Sequence, residues 1–120
     1  MSLLLVVDDD TGARQAMEEF LTEEGYEVLL ARDGHHAIAH LEQRVPAVLL
    51  TDLEMPDVNG EQLIEHTRTL HPRLPILVLT SRLVVDARRE AERLGVFGYL
   101  NKPIDLDTLL GEVKRAIVAG

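Results

Sequence analysis

Short apolar runs alternate along the chain with longer amphipathic stretches. Leu3-Leu4-Leu5-Val6-Val7 is apolar throughout, too short for a helix and ended by acids, so it predicts a strand buried on both faces. Val28–Leu30, Ala47–Leu50, Ile76–Leu79 and Phe97–Leu100 predict strands of the same kind. Between them, helical spacing predicts helices over Thr11–Glu24, Gly34–Gln43, Glu61–Leu70, Val84–Leu94 and Asp105–Val118. The punctuation agrees. Gly25 and Gly95 follow helical stretches, where a left-handed residue ends a helix, and Asp105 stands where an N-cap belongs. Pro46, Pro72 and Pro75 fall in connections, where a helix must already have stopped. There is no repeat, low-complexity tract or linker.

Five strands alternating with five helices predict a parallel sheet covered on both faces, an α/β fold. Right-handed crossovers leave few topologies, and ligands in such sheets sit at the carboxyl ends of the strands, where the strand order reverses. The residues that end the strands therefore matter most. The first strand runs into Asp8-Asp9-Asp10, the third into Thr51-Asp52, the fourth into Thr80-Ser81 and the fifth into Asn101-Lys102-Pro103. The second runs into Ala31-Arg32-Asp33, with no evident chemistry.

Electrostatics constrains what such a set can do. Two carboxylates about 4 Å apart repel by roughly 4 kcal/mol at an effective dielectric near 20. Three in one cleft call for a cation or a shared proton. Lys102 supplies one positive charge, and oxygen ligands with spare coordination positions suit Mg²⁺ or Mn²⁺. A carboxylate can attack phosphorus to give an acyl phosphate, with metal, lysine and hydroxyl neutralising the phosphoryl oxygens. Singly, each residue has a plainer role: one acid caps the first helix, Asp52 starts a polar turn, Thr80 favours a strand and Lys102 is solvated. Their coincidence at four strand ends is what points to chemistry.

Length and charge narrow the field. A chain of 120 residues fits one domain, 1–120. Without cysteine there is no disulfide framework or thiolate metal site, which fits a reducing cytosol and a cytoplasmic location. The net charge of −9 repels phosphate backbones, so direct nucleic-acid binding is not expected. No signal peptide and no membrane-spanning stretch is expected either.

These residues resemble the receiver domain of two-component response regulators, and the resemblance runs from Leu3 to Val118. Val6-Val7-Asp8-Asp9-Asp10 is similar to the acidic pocket after the first strand. Leu50-Thr51-Asp52-Leu53-Glu54-Met55-Pro56, followed by Gly60, is similar to the phosphoacceptor segment. Val78-Leu79-Thr80-Ser81 resembles the switch-hydroxyl segment, and Gly98-Tyr99-Leu100-Asn101-Lys102-Pro103 the aromatic-switch and lysine segment. The resemblance implies a doubly wound (βα)5 flavodoxin-like fold with strand order 2-1-3-4-5.

It also implies a phosphorylation-dependent signalling switch in a phosphorelay, catalysing only its own phosphotransfer and autodephosphorylation. Asp52 is then the phosphoacceptor. Asp9, Asp52 and the Glu54 backbone carbonyl bind Mg²⁺ directly, and Asp8 acts through a water. Lys102 pairs with the phosphoryl group, Thr80 hydrogen-bonds it, Tyr99 swings inward as Thr80 moves, and the Lys102–Pro103 bond is cis. The implied donor is a sensor histidine kinase or histidine phosphotransfer protein, docking on the first helix and the Pro103 loop. The fourth helix, fifth strand and fifth helix are implied as a homodimer or effector surface.

Ser81 stands where the family usually has Ala or Gly, and Glu54 and Arg82 hold variable flanking positions. Ser81 and the long Arg82 are expected to crowd the attacking water and slow hydrolysis. His36 and His40, four apart, form a candidate metal pair without an evident third ligand, so exposed helix surface is the expected role. The charges of the fourth helix predict a salt-bridged exposed face. The competing enzymatic reading is a Mg²⁺-dependent phosphohydrolase with Asp8 as nucleophile. Asp8-Asp9-Asp10 superficially resembles the start of haloacid-dehalogenase-type enzymes, but Gly12 stands where that family has Thr or Val.

Overall fold

A computed structural model describes residues 1–55, 57–82 and 85–120. Five strands alternate with five helices: β1 (Leu3–Val7), α1 (Thr11–Glu23), β2 (Glu27–Ala31), α2 (Gly34–Gln43), β3 (Val48–Asp52), α3 (Gly60–Leu70), β4 (Ile76–Thr80), α4 (Ala87–Leu94), β5 (Gly98–Asn101) and α5 (Leu106–Ala119). All strand pairs are parallel, in the order β2-β1-β3-β4-β5. This is the flavodoxin-like doubly wound topology expected from the sequence.

The two-residue period of a strand sorts its side chains between two cores. Leu5, Val7, Leu49, Ile76 and Val78 pack with Ala37, Leu41, Leu63 and Ile64 of α2 and α3. Leu4, Val6, Val48, Leu50, Leu77 and Leu79 pack with Met17 and Leu21 of α1 and Leu109, Val113 and Ala116 of α5. The sequence expectation fails at the edges. β1, β3 and β4 are buried along their whole length, whereas β2 and β5 are mostly half-buried or exposed because each has a neighbour on one side only. Glu27 on β2 pairs with Arg44 at 3.0 Å, a charge placement that discourages strand addition.

Helix starts are set by short polar side chains. Asp10, Asp33, Asn59, Asp86 and Asp105 each accept a backbone N–H from the first turn that follows. Asn59 and Gln62 form a reciprocal capping box, so α3 begins at Gly60, one residue earlier than expected. The Val84 start expected for the fourth helix lies outside the described residues, as do Leu83 and the Pro56 of the phosphoacceptor segment. Within the described residues that helix begins at Ala87, because Asp86 accepts the Arg89 amide at 3.1 Å. Gly25 and Gly95 have φ of +95° and +70°, the left-handed geometry expected of helix terminators. Among the described residues, no helix is long and apolar enough to cross a membrane.

Candidate phosphoacceptor site

Register brings the polar strand ends together. Val7 lies opposite Thr51, Asp52 opposite Leu79, and Thr80 opposite Asn101. The residues just beyond β1 and β3 are therefore neighbours at the reversal in strand order, with the ends of β4 and β5 beside them.

Asp8 is completely buried. One of its carboxylate oxygens accepts the Asp10 amide at 2.9 Å, and the other accepts Lys102 Nζ at 2.8 Å. Asp52 is buried as well, with Oδ1 accepting the Glu54 amide at 3.1 Å and Oδ2 accepting Lys102 Nζ at 3.0 Å. A single ammonium thus bridges two acids that lie 94 and 50 positions before it, and it reaches them because the Lys102 backbone N–H donates to the Thr80 carbonyl at 2.7 Å. The Lys102–Pro103 bond is cis, as expected. Burial disfavours the Lys102 charge, but the hydrogen bonds it donates to Asp8 and Asp52, with the charges of those acids, outweigh it and hold the lysine pKa above its usual value.

Asp9 is exposed at the rim. One carboxylate oxygen from each of Asp8, Asp9 and Asp52 lies within 4.8 Å of the others. Three carboxylates and one ammonium leave two formal negative charges, the complement of a divalent cation. Hard oxygen donors at these separations, open to solvent through Asp9, fit an ion that keeps part of its water shell. Asp8 is the poorer candidate nucleophile, its side chain being sealed from solvent while that of Asp52 keeps 10% exposure.

Thr80 is buried at the end of β4, and its Oγ1 accepts the Arg82 amide at 3.1 Å. Because the oxygen accepts there, the hydroxyl proton can be donated elsewhere. Tyr99 is buried, in the same apolar cluster as Ala91, Leu94 and Val96. Burial pushes its phenol pKa up, the charge of Glu90 reinforcing the shift and the charge of Arg82 and a hydrogen bond with Thr80 opposing it. The Glu54 side chain pairs with Arg82 at 2.9 Å. Ser81 is exposed.

Several contacts escaped the sequence reading. Arg14 on α1 donates to the Asp8 carbonyl at 2.5 Å, and Asn101 donates to the Arg82 carbonyl at 2.5 Å. Arg14 lies one helical turn after the acidic triplet, which is the signal that could have drawn attention to it. The histidine pair is not simple exposed surface. His36 and His40 are half-buried with ring centroids 4.7 Å apart, His36 Nδ1 is buried without a partner, and His40 Nε2 meets the Leu30 carbonyl at 3.2 Å. No third metal-ligating side chain joins them among the described residues. On α4, Arg88–Glu92 and Arg93–Glu90 form the expected salt bridges at 3.5 and 2.9 Å.

The sequence model of the family described as "Response regulator receiver domain" matches residues 4–114. The DNA-binding transcriptional regulator NtrC of Salmonella typhimurium is 36% identical over 115 residues, covering 96% of this chain and 24% of the relative. The chain thus spans about a quarter of the length of that curated relative. Among solved structures, the chemotaxis response regulator CheY4 of Vibrio cholerae superposes with a TM-score of 0.87 at 32% identity, covering 97% of this chain and 98% of that one. A response regulator receiver domain protein from Clostridium thermocellum gives a TM-score of 0.90 at 26% identity, covering 98% and 95%.

Proposed function

The chain belongs to the response regulator receiver domain family, and from that premise we propose that it is a signalling switch that accepts a phosphoryl group on Asp52 from a phosphohistidine donor. The observation that carries the reading is Lys102 Nζ held between Asp8 and Asp52 at 2.8 and 3.0 Å. Phosphoryl transfer needs positive charge fixed beside the nucleophile and little covalent help from the protein.

A carboxylate oxygen of Asp52 forms the new O–P bond as the donor N–P bond breaks, its electrons passing to the imidazole nitrogen. Lys102, already beside Asp52, follows the charge onto a phosphoryl oxygen. Thr80 turns its hydroxyl to donate to another, which loosens the bond its oxygen accepts from the Arg82 amide. Asp8, Asp9, Asp52 and the Glu54 carbonyl would hold Mg²⁺ or Mn²⁺, Asp8 through water; when bound, the ion supplies further positive charge to the phosphoryl oxygens. Engagement of Thr80 biases the β4–α4 connection, and buried Tyr99 on the neighbouring strand reports that bias to the α4–β5–α5 face. That face would meet an effector or a second copy, and α1 with the Pro103 loop would meet the kinase or phosphotransfer protein in the cytoplasm.

The test is direct. Incubated with acetyl phosphate and MgCl₂, the protein should gain one labile phosphoryl group mapping to Asp52. It should gain none with EDTA or as Asp52→Asn. Undiminished labelling of Asp52→Asn, or a label on Asp8, would refute the assignment.

A further inference from the structure

We propose that Asn101 is a positioning residue that holds Arg82, two residues past β4, beside the site and so sets how fast water reaches the aspartyl phosphate. The inference rests on the reading of Asp52 as phosphoacceptor.

Arg82 is held at three points by three different parts of the fold. Its amide donates to Thr80 Oγ1 at the end of β4 (3.1 Å), its carbonyl accepts from Asn101 Nδ2 at the end of β5 (2.5 Å), and its guanidinium pairs with Glu54 after β3 (2.9 Å). The side chain therefore crosses from one strand connection to another, bordering the cleft that Asp9, Leu53, Glu54 and Met55 line beside the acids. The outer link is weak by itself. Arg82 and Glu54 side chains are 63% and 52% exposed, and an exposed ion pair contributes little and gives way to salt. The backbone grips decide where the guanidinium spends its time.

Those two grips are unequal. The Thr80 hydroxyl is the group expected to turn towards a phosphoryl oxygen, which stretches or shares its bond to the Arg82 amide. Asn101 has no such second duty. It lies opposite Thr80 in the β4–β5 register, and its exposed amide group projects to the Arg82 carbonyl. It is thus the tether that persists through the switch, holding Arg82 over the cleft when the phosphoryl group is in place. Asparagine suits the task because its amide NH₂ donates, whereas an aspartate of the same shape only accepts.

Hydrolysis requires a water oxygen to attack phosphorus. Its bond to phosphorus forms as the O–P bond to Asp52 breaks, the electrons returning to the carboxylate. The water protons pass to the phosphate released and to solvent. An Arg82 side chain kept over the cleft obstructs that approach.

The experiment follows the decay of the label at Asp52 after acetyl phosphate is removed. Losing one hydrogen bond of ordinary strength corresponds to roughly a threefold to tenfold change in rate. Asn101→Leu and Asn101→Asp should shorten the half-life by that factor, as should Arg82→Ala. The double variant Asn101→Leu/Arg82→Ala should be no faster than Arg82→Ala, because the strap acts through that side chain. An unchanged half-life in Asn101→Leu, or an effect multiplying with that of Arg82→Ala, overturns the proposal while leaving the phosphoacceptor reading intact. A wild-type protein that takes no label at Asp52 would refute the parent reading instead. Exchange of the Asn101 side-chain amide hydrogens in the wild-type protein, measured by NMR, then judges the strap alone: protection beyond that of a solvated asparagine supports it and unprotected exchange overturns it.

Discussion

Replacing Lys102 by methionine isolates the electrostatics of the site. The substitution keeps most of the side-chain length and removes one charge from between two buried acids. Each of the contacts at 2.8 and 3.0 Å is worth about 5–6 kcal/mol of gross attraction at an effective dielectric near 20. Most of that is offset by the cost of taking the ammonium out of water, which the variant no longer bears. Asp8 and Asp52 are then left facing one another with only backbone donors. A net loss of about 2–3 kcal/mol is expected, near the lower end of what breaking a buried pair costs. For a domain of this length that corresponds to a melting temperature about 10 °C lower in EDTA. Adding MgCl₂ should then stabilise Lys102→Met more than wild type, because a cleft with three uncompensated carboxylates binds a divalent cation more tightly and binding to the native state alone raises stability. Thermal unfolding followed by circular dichroism, with EDTA and across a magnesium titration, measures both effects. A variant melting within about 2 °C of wild type in EDTA would sink the reasoning. So would a deficit that magnesium does not narrow.

Three other outcomes are expected. A Cβ added at Gly34 would sit 2.5 Å from the Val58 carbonyl oxygen and 2.7 Å from its Cβ, so Gly34→Ala should lower the urea-derived stability by about 1–3 kcal/mol through overpacking. Burial first, then the charges of His40, Arg32 and Arg14, hold the His36 pKa below 6.5 against the smaller pull of Asp33. The unfolded chain therefore takes up a proton that the folded chain resists, stability falls as pH drops through and below 6.5, and His36→Gln should flatten that fall between pH 7.5 and 5.5 in urea titrations. Among the described residues, Arg68 has no acid partner and instead donates to the Gly95 carbonyl at 2.7 Å and the Leu74 carbonyl at 2.6 Å. Arg68→Met should accordingly speed amide exchange around the end of α4 and cost about 1–3 kcal/mol, as expected when two carbonyls, one of them part-buried, lose a charged donor.

The strands and the acidic site were legible because both are written locally. An apolar run stopping abruptly at a polar residue marks the end of a strand, and a parallel sheet gathers such ends on one rim, so Asp8, Asp9, Asp52, Thr80 and Lys102 could be named before their distances were known. Edge burial was not legible, since the apolar runs of β2 and β5 look like those of the central strands and only the strand order decides which have one neighbour. The Asn101–Arg82 and Arg14–Asp8 contacts use a side chain against a backbone carbonyl, and a carbonyl leaves no trace in residue type. The closeness of Gly34 to Val58 depends on how the β3–α3 connection folds back across α2. The burial of His36 likewise depends on packing between elements, which is why helical spacing alone assigned it to the surface.

Because register in β3 is fixed by partners on both sides, a residue deleted inside that strand would turn Thr51 or Leu53 into the place of the acid and carry every apolar side chain to the wrong core. The far ends of the strands bear no such constraint. The α2–β3 and α3–β4 connections, with Pro46, Pro72 and Pro75, hold none of the reactive groups. That side of the molecule is where the polypeptide can be lengthened, nicked or rejoined while the chemistry on the other rim stays in place.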